Sequence, residues 1–367
     1  MSALGFSSIG SFWRIVREFN PEGIEREATS PLSLWIAGES RQEQQAVASS
    51  LLGRSGIIDS ELSPFRLLPI DGLGEHVDRM DEPGDHLRGR LPVRHPFRQH
   101  NLPDALLVMV RLDDDLGPKA KRLASVLGGH RLPIILVFTH RASEPPSRER
   151  RNGAYRTFSF MSHLRTTFLD PDDGGEVVRA LGPMLLDAVP NARTSLARRL
   201  PPLRRSVADA IISETCRVNA QFALAANLPA NLPLFGGVAG GIADFFVLTK
   251  NQVMMALRLG AIYGREIALT GQTMAELGSV IGGGILWRSA ARLATGMLPT
   301  PLAAAPKTAI AFVGTYIAGH AARYYLDEGR EPPGELLRQL AAEGLKLYRD
   351  HVTELGIPRI GSKAPAN

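Results

Sequence analysis

The sequence predicts an α/β domain with a mainly parallel sheet, followed by an all-α hydrophobic helical domain. Three observations carry that expectation. Between residues 31 and 190, short apolar runs alternate with segments of helical length and spacing. Beyond residue 206 the strand signal disappears, and uncharged, glycine-rich stretches take over. A chain of 367 residues also suits about two domains at roughly 150 residues each.

The elements follow in chain order. Residues 1–30 form an amphipathic leader, because Phe6, Ile9, Phe12, Trp13, Val16 and Phe19 recur at helical spacing with Arg14 and Arg17 among them. This leader reads as a helix docked on the rest of the protein, with a helix lying on a membrane surface as the alternative. Its arginines interrupt the apolar run that a cleavable signal needs. In the α/β domain, residues 32–38 (LSLWIAG), 65–70 (FRLLPI), 104–111 (DALLVMVR) and 133–139 (PIILVFT) read as strands. Residues 42–52, 119–127 and 175–188 read as helices, the last capped by the acidic stretch 170–173. Continuous apolar strands joined by helical crossovers imply a sheet covered on both faces.

Residues 191–205 (NARTSLARRLPPLRR) read as a basic linker. The helical domain then occupies 206–330, with no charge from Val218 through Ala243 and glycine clusters at 236–241 and 282–284. A bilayer span needs about 20 predominantly apolar residues. The 218–243 window is long enough, but Asn227, Pro229, Asn231 and Pro233 break it near the middle. The sequence leaves open whether these helices associate with or dip into a membrane, or form a soluble bundle. Residues 331–367 close the chain as an amphipathic helix and a tail.

Charge narrows the partners. The chain carries 42 Lys and Arg against 37 Asp and Glu, a net +5, and only six of the basic residues are lysine. Residues 140–165 contribute +4 and residues 193–205 contribute +5, so the remainder nets −4. Such uneven charge argues against a general nucleic-acid coat. The cluster at 193–205 has the character of a cytoplasmic membrane flank. Cys216 is the single cysteine, which excludes an intrachain disulfide and a cysteine zinc cluster.

The turn after the first strand is where a nucleotide-binding domain places its phosphate loop. A Walker A loop counted from Gly38 requires Gly, Lys and Ser or Thr at positions that here hold Glu43, Gln44 and Gln45. Glu39 and Glu43 also add negative charge where a triphosphate would sit. Asp71 and Gly74 echo the Asp-x-x-Gly pattern of GTPases, and Thr139-His140-Arg141 stands where a guanine motif belongs but lacks its lysine and aspartate. Gly38, Asp71 and Gly74 are therefore candidates for a degenerate nucleotide site, against the plainer reading of turn residues. Ser40 lacks the second glycine of a nucleophile elbow. His95 and His100 have no carboxylate or cysteine at ligand spacing, so no metal is expected. In the helical half Asp244, Lys250, Arg258, Arg265 and Glu266 are isolated charges, expected to pair structurally rather than to line an ion pathway.

Residues 20–38 (NPEGIEREATSPLSLWIAG) resemble the lead-in to bacterial GTPase-like domains. Residues 212–267 resemble the YcjF-like domain of unknown function, related in pattern to EcsC-type proteins, through Asn219, the prolines before a glycine-rich turn, Asp244, Lys250, Gln252 and Tyr263. The glycine-rich stretch 277–323 fits the same domain. That resemblance implies a P-loop-GTPase-like sheet domain fused to a membrane-associated helical domain, with Asn219, Asp244, Lys250, Gln252 and Tyr263 as its candidate residues. GTP hydrolysis does not carry over, because the phosphate loop departs from the pattern at each critical position. The expectation is a non-catalytic pseudo-GTPase scaffold or adaptor on the cytoplasmic side of the bacterial inner membrane. It would have no cofactor, no nucleic-acid partner and no small-molecule ligand, and its protein partner is open. An atypical nucleotide-binding switch and an integral membrane transport component are the alternatives.

Overall fold

A computed structural model describes residues 21–53, 63–70, 73, 103–112, 116–127, 132–159, 165–225, 240–265 and 307–351. The chain divides into two compact units, Thr29–Arg204 and a second that joins Arg205–Asn367 with Met1–Ala28.

Helix α1 (Pro21–Thr29) belongs, but for Thr29, to the second unit. The first unit is α/β, with β1 (Leu34–Gly38), α2 (Arg41–Leu52), β2 (Phe65–Pro69), β3 (Ala105–Arg111), α3 (Leu116–Leu127), β4 (Ile134–Thr139), α4 (Arg148–Thr157), β5 (Arg165–Leu169) and α5 (Gly174–Ala188). All strand pairs are parallel, in the order β2-β1-β3-β4-β5. The expected strands are where the sequence placed them: β1, β3 and β4 are apolar and buried on both faces, and the edge strand β2 buries Phe65, Leu67 and Leu68. One face sends Leu34, Ile36, Leu107, Ile135 and Val137 into a core with residues of α2 and α5. The alternate residues Trp35, Leu106, Val108, Leu136 and Phe138 pack on the other side with residues of α3 and α4. The result is a doubly wound sheet.

Local caps fix the helix ends. Ser40, Ser147 and Asp173 each accept a hydrogen bond from the third residue of α2, α4 and α5 respectively. Gly53 ends α2 in the left-handed region (φ 66°), which allows its N–H to reach the carbonyls of Ser49 and Ser50.

Of the segment 191–205, expected as a linker, residues 191–204 are folded into the first unit. It forms α6 (Arg193–Arg199) flanked by short 3₁₀ turns at Pro190–Ala192 and Pro201–Leu203. Leu196, Leu200 and Leu203 are buried in the same core as Leu34 and Leu181. Its arginines largely serve backbone carbonyls. Arg193 donates to Leu186 O near the end of α5, Arg199 to Ser30 O, and Arg204 to Ala197 O and Arg198 O at the end of α6. Guanidinium groups placed at helix C-termini meet the negative end of the dipole. Leucines at helical spacing outweigh the prolines here, so the boundary falls at Arg204/Arg205.

Described residues of the second unit are helical: α7 (Arg204–Ala225, which begins at the boundary), α8 (Gly240–Ile262), α9 (Lys307–Glu328) and α10 (Gly334–His351). Gly319 of α9 permits close approach, since a Cβ there would lie 2.7 Å from Ile212 of α7 and 3.0 Å from Met255 of α8. Helix α10 buries Leu340, Ala341 and Tyr348, with the Tyr348 hydroxyl 2.8 Å from Thr308 Oγ1. Among the described residues no helix is long and apolar enough to cross a membrane. The stretches 226–239 and 266–306, which hold most of the glycine clusters, lie outside the described residues.

Candidate functional site

Ligands of open parallel sheets bind beyond the carboxyl ends of the strands, where the strand order reverses. Here that place is between β1 and β3, at Gly38, the turn to α2, and Arg111. The turn is short and self-satisfied. Ser40 Oγ accepts from Glu43 N at 3.3 Å and Ser40 O accepts from Gln44 N at 3.1 Å. Two of the donors at this helix start, Glu43 N and Gln44 N, are thus engaged by Ser40.

The three side chains that depart from a phosphate loop have defined tasks. Gln44, at the lysine position, is only 1% exposed and its Nε2 donates to Gly38 O (3.2 Å) and Leu68 O (2.6 Å). Pro69 ends β2 opposite Gly38 without an N–H, and the glutamine amide supplies a donor at the end of that ladder. Glu43, at the second glycine position, pairs with Arg111 Nη2 at 2.5 Å and accepts from the buried Thr139 Oγ1 at 3.0 Å. It thus ties α2 to the ends of β3 and β4. Glu39 meets Lys119 of α3 at 3.0 Å. The two glutamates expected to repel a triphosphate are therefore each paired with a cation.

Gly38 keeps its place as a glycine for packing. A Cβ there would lie 3.2 Å from both Gln44 Nε2 and Met109 Cβ. Asp71 and Gly74 lie outside the described residues, as do His95 and His100.

Two hollows open on this edge. One of about 390 Å³ is lined by Glu43, Arg111, Thr139, His140, Arg150 and Asp170, among others. The other, about 380 Å³, is bounded by Gly38, Glu39, Pro69, Ile70, Lys119 and Arg122. Asp170 is committed to structure. Its Oδ2 accepts from Ala142 N (2.9 Å) and its Oδ1 from Asp172 N (3.0 Å), which links the segments after β4 and β5. The sequence expectation that 170–173 merely caps a helix holds for Asp173 and misses this role of Asp170.

In the helical unit, two of the five candidates meet. Asn219 of α7 donates through Nδ2 to Thr315 Oγ1 of α9 (2.8 Å), and accepts from Asn251 Nδ2 of α8 (2.7 Å). Gln252 Nε2 adds a longer bond to Thr315 Oγ1 (3.2 Å), and that hydroxyl donates to Ala311 O (2.7 Å). Asn219 and Thr315 are fully buried. Lys250 is exposed, Tyr263 stands half-buried in the turn after α8, and the Asp244 side chain lies outside the described residues. These amides and the hydroxyl link α7, α8 and α9 through buried and half-buried hydrogen bonds. Asn219→Leu should lower stability by about 2 kcal/mol, measured by urea denaturation, because it strips the Asn251 amide and Thr315 of a buried partner. The cost is limited, since Thr315 keeps Ala311 O and Asn251 is only half-buried.

A second polar group was not foreseen. Asp209 of α7 forms an ion pair with Arg323 of α9, and His320 Nδ1 lies 3.9 Å from the same carboxylate without a hydrogen bond. Burial, reinforced by Arg323 and Arg205, lowers the His320 pKa to about 4. Burial raises the Asp209 carboxyl above its usual range against the opposing pull of Arg323 and Arg205. Among the described residues no three-member group of His, Cys, Asp and Glu is placed to hold a metal ion. No family model matches the sequence, and no curated protein is significantly similar to it.

Proposed function

We propose that the protein is a non-catalytic adaptor, built on a P-loop-like α/β domain whose phosphate site is closed by its own side chains and associated with a membrane surface. The observation that supports this reading most directly is the Gln44 amide bound to Gly38 O and Leu68 O where a phosphate-binding lysine would project outward. The Glu43 carboxylate, held by Arg111 and Thr139, reinforces it, because a triphosphate entering there would meet a carboxylate already tied to the ends of β3 and β4. The sheet order and the strand–turn–helix at Gly38 are compatible with a P-loop-like fold, and the glycine-rich, charge-poor composition beyond residue 206 supports the membrane component.

Isothermal titration with Mg-GTP and Mg-ATP tests the reading. The expected result is no saturable heat. Binding tighter than about 10 μM, roughly −7 kcal/mol, would reassign the protein as a nucleotide switch.

A further inference from the structure

Helix α4 carries the densest charge on the described surface: Arg148, Arg150, Arg151 and Arg156 against Glu149 in ten residues. Ala154 is its single buried residue. Arg148, Arg151 and Tyr155 follow at i, i+3 and i+7, with Arg156 beside them, and all four are exposed. They form one solvent face, on which the exposed Glu149, seven residues before Arg156, also lies.

Tyr155 is 49% exposed and yet held. Its ring meets Phe168 of β5 edge-on at 5.3 Å, and Phe168 stacks at 5.0 Å on the fully buried Phe138. Arg151 lies over the same Phe168 ring at 5.5 Å. An amphipathic aromatic and a guanidinium are thus fixed at the surface by a chain of rings that begins in the core. In the other arginine cluster, at 193–205, Arg199 and Arg204 are half-buried on backbone carbonyls, whereas Arg156 of α4 spends one nitrogen on Asn152 O and stays exposed.

We propose that this face of α4 docks on an anionic phospholipid surface. The inference rests on the membrane association proposed above and names the surface responsible within the α/β unit. Charge complementarity selects the partner: three arginines against Glu149, a net +2, with a tyrosine hydroxyl among them, in a chain whose residues outside the two basic segments net −4, suit a layer of negative headgroups. A specific protein interface needs an apolar centre, and this face offers one aromatic ring. Single-stranded nucleic acid is held by successive stacking platforms, of which there is again only one here. A headgroup layer demands no shape complement, and tyrosine is suited to the interfacial depth.

The test is flotation of the 367-residue chain with phosphatidylcholine vesicles containing phosphatidylglycerol, against phosphatidylcholine alone. Binding to the anionic vesicles should weaken as salt rises. Replacing Arg148, Arg151 and Arg156 together by Gln should weaken it about 100-fold, at about fivefold for each arginine. The corresponding triple lysine variant should retain binding, and both variants should melt like the parent because the substituted residues are exposed. Gln and parent chains binding equally, or parent binding that ignores lipid charge, overturns the α4 assignment and leaves membrane association standing. Absence of any vesicle binding overturns both. A lysine variant as impaired as the Gln variant also overturns the inference, since it points to specific guanidinium recognition by a protein. So does an oligonucleotide whose binding the Gln variant abolishes while vesicle binding persists.

Discussion

Replacing Gln44 by Ala should lower the stability of the α/β unit by about 3 kcal/mol. Two buried carbonyls, Gly38 O and Leu68 O, lose their side-chain donor, and each such loss costs about 1–3 kcal/mol where water cannot enter. The removed atoms also leave a cavity beside Leu68 and the Gly38 turn. Gln44→Met separates the two contributions, since it fills the space without a donor, and it should recover less than half of the loss. Gln44→Glu should be worse than Ala at neutral pH, because a carboxylate would face two carbonyl oxygens in a buried site. Gln44→Lys keeps a donor but buries a charge with no carboxylate on it. It should destabilise the unit without creating a nucleotide site, as Glu43 still bridges to Arg111 and Thr139. Urea denaturation of the five chains, read alongside nucleotide titration, checks the series. A Gln44→Ala chain as stable as the parent would show that the amide bonds do not close the turn.

That series bears on what could be read in the sequence. Counting from Gly38 was enough to show that Glu43, Gln44 and Gln45 depart from a phosphate loop. It could not show that Gln44 turns inward, because an amide in the first turn of a helix looks the same in sequence whether it faces water or two strand ends. Of the four strands recognised in advance, β1, β3 and β4 are apolar on both faces, and β2 buries Phe65, Leu67 and Leu68. Strand β5 (RTTFL) went unseen because it is a half-exposed edge strand with polar residues at its start. Helix α4 went unseen because four arginines on a largely solvated helix leave no apolar stripe to detect.

The helical half shows the same division. Asn219 and Gln252 were singled out through the resemblance to a known domain, and Thr315 and Asn251 prove to be their partners. The partners themselves lie 96 and 32 residues away and carry no local signal. His320 was hidden for a related reason. It stands at the end of an apolar stretch near Arg323, where a histidine reads as surface, and only the packing of α9 against α7 and α8 reveals that its imidazole is enclosed.

Acid should therefore weaken the helical unit through His320. Its folded pKa is about 4, below the ordinary 6.5, because burial and the nearby Arg323 and Arg205 disfavour the imidazolium. The unfolded chain binds the proton first as pH falls, so the stabilisation is complete above pH 6.5 and is lost progressively towards pH 4. The slope cannot exceed about 1.4 kcal/mol per pH unit for one group, which places the loss at about 2 kcal/mol by pH 5. Asp209 acts with the opposite sign. Its carboxyl is raised above 3.8, so the folded state takes that proton first and recovers part of the loss near the acid end. His320→Phe removes the first contribution and leaves the second, so the stability difference between variant and parent should shift by about 2 kcal/mol in the variant's favour between pH 7 and pH 5. Urea midpoints measured across that range decide the matter, and parallel curves for the two chains would place His320 in water rather than in the core. The comparison isolates the histidine because Asp209, Arg323 and Arg205 are present in both chains.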